Sequence, residues 1–199
     1  MKVRNSFELM NGMASIVRYS QSTLCKPESV LEHTGFVASI CLIIGKNLNL
    51  LGAEINMASL LEKSLVHDMD ETVTGDVARP TKYHSERIRI ELDILSTESI
   101  REISQKINCP INQSWVNSKN GIDGKIVELA DTLAVLCKVH DEIVMRGNKT
   151  MIFGSLTKLG ERIESVSKEL VEKIGCAEYF DMMRFECGNM SAEIKKEFI

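Results

Sequence analysis

Between its three prolines, Pro27, Pro80 and Pro110, the chain repeats apolar residues at intervals of three and four, the period of an α-helix and not the two-residue alternation of a strand. From Ser29 to about Leu48, the residues Phe36, Val37, Ile40, Cys41, Ile44 and Leu48 form one stripe, with Ser29 placed as N-cap after Pro27 and His33 on the same stripe. A second helix is expected from about Ala53 to Met69, with Leu61, Ser64, Leu65 and Asp68 on one face, ended by the turn Thr74-Gly75-Asp76. The pattern predicts further helices over about 83–95, 98–107, 124–145, 151–173 and the last twenty residues. It leaves 108–124, with Pro110, Trp115 and several Asn and Gly, as the one long non-periodic stretch. The expected class is all-α, with no internal repeat and no low-complexity segment.

At 199 residues and 44% hydrophobic content, the chain can build one core, so a single domain over 1–199 is expected, with the chemistry within about 10–150 and only helices beyond. A net charge of −4 offers no basic stripe to neutralise a polynucleotide, which argues against long nucleic acid as partner and leaves small anions. The six cysteines include no CxxC pair and read as reduced thiols of a cytoplasmic protein. There is no signal-peptide pattern and no uncharged apolar run approaching ~20 residues, so no membrane association is expected.

The polar residues that interrupt the apolar faces carry the candidate chemistry. Asp131 lies among Val127, Ala130, Leu133, Ala134 and Val135, and a carboxylate in such surroundings costs several kcal/mol unless it is paired or bound to a metal. His33 on its stripe and His67-Asp68 at the end of the second helix raise the same demand. One divalent cation would satisfy all four. Glu71 follows His67 by four residues and Asp68 by three, so a persisting helical turn would project it to the ligand side, where it could position a water or shuttle its proton. Arg18, in the otherwise uncharged stretch Ile16–Ser20, and Lys82 could bind phosphate. Each residue also has a plain reading: core histidine, buried salt bridge, solvated helix end, surface arginine. His140-Asp141, mid-helix with no polar turn after it, is read as structural. The stretch with Trp115 is open between lid, oligomer contact and surface loop.

The order His33, His67-Asp68, Asp131 on helices resembles the HD-domain superfamily of metal-dependent phosphohydrolases. The phrases Glu28-Ser29-Val30-Leu31-Glu32-His33, Val66-His67-Asp68-Met69-Asp70-Glu71, Thr74-Gly75-Asp76, Pro80-Thr81-Lys82-Tyr83 and Ala130-Asp131-Thr132-Leu133 resemble, more closely, the bacterial YfbR-type 5′-deoxynucleotidases. The resemblance implies an HD-type helical bundle that releases phosphate from deoxyribonucleoside 5′-monophosphates with cobalt, manganese or zinc, magnesium being a further candidate. It implies His33, His67, Asp68 and Asp131 as metal ligands, Glu71 as the catalytic acid ordering water, and Arg18, Tyr19, Thr74, Asp76 and Lys82 as substrate-binding residues. It also implies a homo-oligomer, dimeric or larger. The family usually has tryptophan where this chain has Tyr19, and that ring helps exclude a ribose 2′-hydroxyl. The alternatives are a dATP triphosphohydrolase of the phage branch, with Arg79, Lys82 and Lys125 on the outer phosphates, and a non-catalytic nucleotide- or metal-binding bundle.

Overall fold

The computed structural model describes residues 3–150 and 156–198. It contains ten α-helices among these residues: α1 Val3–Ser15, α2 Val30–Leu50, α3 Met57–Val66, α4 Glu71–Thr74, α5 Arg79–Lys82, α6 Glu86–Ile107, α7 Ile111–Val116, α8 Gly121–His140, α9 Leu156–Ile174 and α10 Ala177–Lys196. A π-helical turn, Asp141–Met145, continues α8. The only β pairing among the described residues is an isolated antiparallel bridge between Val17 and Ser29. No described helix is long and apolar enough to cross a membrane.

Helix α2 begins at a capping box: the Ser29 hydroxyl accepts from Glu32 N at 3.2 Å and Glu32 Oε2 accepts from Ser29 N at 2.8 Å. Its inward stripe is Val30, His33, Val37, Cys41, Ile44 and Leu48. The stripe lies slightly round the helix from the one expected, because Phe36 points outward and is 45% exposed. Helix α3 starts at Asn56, whose side chain accepts from Ser59 N, and ends at Val66, shorter at both ends than expected. Its buried residues are Leu60, Ser64 and Val66, while Leu65, expected inward, is 48% exposed. Helix α8 packs against α2, α3, α9 and α10. The main core is formed by residues of these helices, among them Leu48, Leu60, Ile126, Leu129, Leu136, Leu170 and Phe180.

Three stretches depart from the expected pattern. Helix α6 runs unbroken where two helices were expected, and stops at Asn108, which is left-handed with φ 54°. The stretch 108–124 holds α7, whose Trp115 packs with Leu9, Ile100, Ile103 and Ile107 in a second, smaller core. Helix α1 forms where no helix was expected and buries Leu9 and Met13. It crosses α4 so closely at Gly12 that a Cβ there would lie 2.7 Å from Thr72 Cγ2. Of the helix expected over 151–173, residues 151–155 lie outside the described residues.

Glu142, in the π-turn, is fully buried and accepts from the backbone N–H of Cys25 (2.7 Å) and Lys26 (2.9 Å), from Lys138 Nζ (2.7 Å) and from Asn148 Nδ2 (2.7 Å). Burial alone would raise its pKa. The bonds from Lys138, Asn148 and the two amides outweigh it and hold the carboxyl at about 2, below its ordinary 4.5. The network clamps the segment leading into α2. A depressed carboxyl pKa contributes stability above the unfolded value, lost as pH falls through the folded one. Acid unfolding should therefore steepen between about 4.5 and about 2. Glu142→Gln should remove that dependence and, by stranding the Lys138 ammonium, cost about 3–5 kcal/mol of unfolding free energy at neutral pH, as measured by urea titration.

Candidate active site

The N-terminal half of α2, the chain just after α3 and the middle of α8 converge on one point. His33 lies one turn beyond the capping box and is 1% exposed. After Val66 the helix opens into overlapping turns, with Met69 N donating to Val66 O at 3.1 Å and Glu71 N to Asp68 O at 3.2 Å. The helical direction thus persists far enough for Glu71 to lie on the side of His67 and Asp68. His67 Nδ1 donates to Ser64 O at 2.7 Å, which fixes the ring and turns Nε2 toward Asp68 Oδ2 at 3.2 Å. Fixing one ring nitrogen on a carbonyl is how proteins present the other to a metal. His33 Nε2 faces Asp131 Oδ1 at 3.0 Å and Asp68 Oδ2 at 3.7 Å. Ligand atoms of His33, His67 and Asp68 all lie within 4.8 Å of one another, and Asp131 joins them through His33. Its carboxylate is 43% exposed, more open than the surrounding apolar sequence suggests, so it faces an approach to the cluster.

Arg18 reaches the cluster from outside the helices. The Val17–Ser29 bridge, with Arg18 N donating to Glu28 O at 2.8 Å, lays its segment beside the start of α2. Its guanidinium is 2.9 Å from Asp68 Oδ2 through Nη1 and 3.6 Å from Glu28 Oε2 through Nε. Burial disfavours its charge, but Asp68 more than compensates and holds its pKa above the ordinary range. Asp68 is driven well below the carboxylate range: burial opposes this, and His67 and then Arg18 prevail. His67 is raised to about 9, because Asp68 outweighs burial. Glu71 is also raised to about 9, by burial and then by the Asp68 charge. One of its oxygens, Oε2, is buried without a hydrogen-bond partner, as is His67 Nε2.

The other expected residues fall as follows. Tyr19 is left-handed at φ 58°, unusual for a residue with a side chain, and its N–H donates to Asp76 Oδ2 at 2.7 Å. Asp76 therefore sets the backbone beside Arg18. The Thr74 hydroxyl bonds to the Asp70 and Gly75 carbonyls and not to the cluster. Lys82 lies in α5 and makes no ion pair with the cluster. Lys125 is held by Glu128 (3.3 Å) and Glu169 (2.9 Å), and Arg79 stacks over Tyr83 at 5.8 Å. His140 closes on Glu193 at 2.6 Å, a structural pair as expected.

Two residues were missed in the sequence. Glu28 stands between Arg18 and His33, 3.8 Å from His33 Nδ1, a position created by the bridge and marked by no spacing. Asp70 accepts from the Trp115 indole at 2.9 Å and so ties the His67–Glu71 turn to α7. That bond docks Trp115 in the body of the protein and does not suit a lid.

The fold has clear relatives among solved structures. An HD-domain phosphohydrolase from Listeria innocua superposes with a TM-score of 0.77 at 24% identity, covering 98% of this chain and 93% of that one. The HD phosphohydrolase of cyanophage S-2L, solved with dA and one catalytic Zn2+ ion, does so at 0.60 and 16%, covering 95% and 96%. Helices that carry histidines and aspartates to one buried point make this an HD-domain phosphohydrolase, an enzyme that works with a divalent metal. Within that class the chain belongs to the YfbR-like 5′-deoxynucleotidase family, whose model matches residues 5–180. It is 25% identical to a 5′-deoxynucleotidase of Vibrio parahaemolyticus over 152 residues, 72% of this chain and 77% of that protein. A 5′-deoxynucleotidase of Yersinia pestis is 24% identical over 154 residues, 72% and 76%.

His33, His67 and Asp68 form a donor set that fits a divalent cation, two imidazoles and a carboxylate, with a buried His67 Nε2 that otherwise meets only Asp68 and with Asp131 beside His33. Asp68→Ala should lose bound metal by elemental analysis and activity together. His140→Ala should keep both and change stability by no more than ~1 kcal/mol, as for an exposed pair.

Proposed function

We infer that this enzyme hydrolyses deoxyribonucleoside 5′-monophosphates to deoxynucleoside and phosphate. The observation that carries the reading is the placement of Glu71, buried and unpartnered at Oε2, near Asp68 and the Arg18 guanidinium, in a chain of the 5′-deoxynucleotidase family. His33, His67, Asp68 and Asp131 are the residues that would hold the cation, with cobalt, manganese and zinc as first candidates. When bound, a divalent ion supplies Lewis acidity toward a phosphate oxygen and a water of lowered pKa.

The protein's own groups do the rest. Arg18 offers its guanidinium fork to the phosphate oxygens, in exchange for its present contact with Asp68. Glu71 orders the attacking water and moves a proton. Water oxygen bonds to phosphorus, the P–O5′ bond breaks, and the 5′-oxygen leaves with a proton. Asp76 and Tyr19 shape the sugar end of the site. The smaller ring at Tyr19, where relatives of the YfbR type usually have tryptophan, relaxes selection against a 2′-hydroxyl.

A panel of dNMPs, NMPs and dNTPs with cobalt, manganese, zinc and magnesium tests the assignment. Orthophosphate from dNMPs is expected, and triphosphate from a dNTP alone would replace the substrate assignment. Glu71→Gln should bind metal and dNMP as wild type does, yet lose roughly 10²–10⁴-fold in kcat. Tyr19→Trp should raise the dNMP over NMP ratio of kcat/KM by on the order of tenfold, within the reach of steric discrimination against one hydroxyl.

A further inference from the structure

A cavity of about 450 Å3 lies between the start of α2, the end of α8 and the 26–28 segment. That is within the ~300–1,000 Å3 typical of small-molecule sites. None of His33, His67, Asp68, Glu71, Asp131 or Arg18 lines it, so it is distinct from the metal cluster. Two features of its walls are costly for the fold. Gly35 lies in the second turn of α2 on the exposed side of the cavity, where glycine is disfavoured by about 1 kcal/mol against alanine, yet a Cβ there would meet nothing within 4 Å. Packing does not require this glycine, and its effect is to leave that side of the cavity open. The cavity is also lined by Asp141, the first residue of the π-helical turn, and by Arg146, which follows it; such turns are rare and often found at functional sites.

Charge defines the ligand class. Three acidic side chains (Glu28, Glu32, Asp141) face three basic ones (Lys26, Lys138, Arg146), and two of the cations are already engaged, Lys138 by Glu142 and Arg146 by Asp141 at 2.7 Å. With the two signs in equal number, such a lining favours neither an anion nor a cation and suits a neutral, hydrogen-bonding ligand. Phe36, 45% exposed at the rim, offers an aromatic face. We propose that the cavity binds a free nucleoside, the organic product of the reaction, and that its occupancy is felt at the active site through Glu28. The identity of the ligand rests on the deoxynucleotidase reading above. Glu28 lines the cavity and also stands 3.6 Å from Arg18 Nε and 3.8 Å from His33 Nδ1, with Oε2 buried and lacking a hydrogen bond. A nucleoside hydroxyl or amino group that bonds Glu28 draws its carboxylate away from the residue that grips phosphate.

The test is inhibition of dNMP hydrolysis by 2′-deoxyadenosine and thymidine. Wild type should show a fall in kcat at saturating substrate, about fivefold or more, the lower range of coupling between sites. Gly35→Leu, which adds a bulky side chain to the lining, and Phe36→Ala should lose that fall while keeping kcat/KM without nucleoside within about twofold. Purely competitive inhibition of wild type, or a fall in kcat that persists in both variants, would overturn the proposal. Calorimetric titration of the metal-loaded protein with 2′-deoxyadenosine separates this from the proposed activity. A binding event present in wild type and absent in Gly35→Leu supports the cavity even if no dNMP is hydrolysed, and equal binding by both refutes it.

Discussion

Asp68 and Asp131 place negative charge where α2, α3 and α8 meet, and the surrounding structure is arranged around that charge. Arg18 is drawn in from an irregular segment to lie against Asp68. His67 holds a proton more tightly than an ordinary imidazole, and Glu71, raised first by its burial, is raised further by the same carboxylate. One aspartate thus biases the titration of three residues. The desolvation that makes the position costly also strengthens each of these couplings.

Little regular structure supports the segment that carries Arg18, so it is held by attachments at several points. The Val17–Ser29 bridge aligns it with α2, Asp76 takes the Tyr19 amide, and Glu142 takes the amides of Cys25 and Lys26. These attachments end on a helix start, a turn and the π-turn after α8, all parts of the body that carries the histidines and aspartates. The arginine therefore arrives at the cluster with much of its positional entropy already spent.

Much of the site was legible because burial of a polar residue on an apolar stripe is visible as periodicity. His33, Asp68 and Asp131 each interrupt a three-four repeat, and Glu71 follows at a helical interval; only at Asp131, 43% exposed, did the apolar surroundings overstate the burial. The structure also placed His140 on Glu193, in keeping with its reading as structural. Glu28 was not legible, since its neighbours Arg18 and His33 reach it through a backbone bridge that leaves no spacing signature. Asp70 was hidden for a similar reason: its partner Trp115 lies 45 residues away in a stretch with no period. Helix α1 has no acidic residue in its first turn and no basic one in its last, so the usual punctuation was missing. The break expected near Ser96-Thr97 in α6 did not form, because neither residue lacks a donor or requires a left-handed backbone.

The left-handed backbone at Tyr19 is fixed by bonds from its own amide and carbonyl, to Asp76 and from Ser22, and so does not depend on which ring the residue carries. A different ring at this position would therefore leave in place the backbone that carries Arg18 to the cluster, so side-chain identity and backbone path are set independently at residue 19.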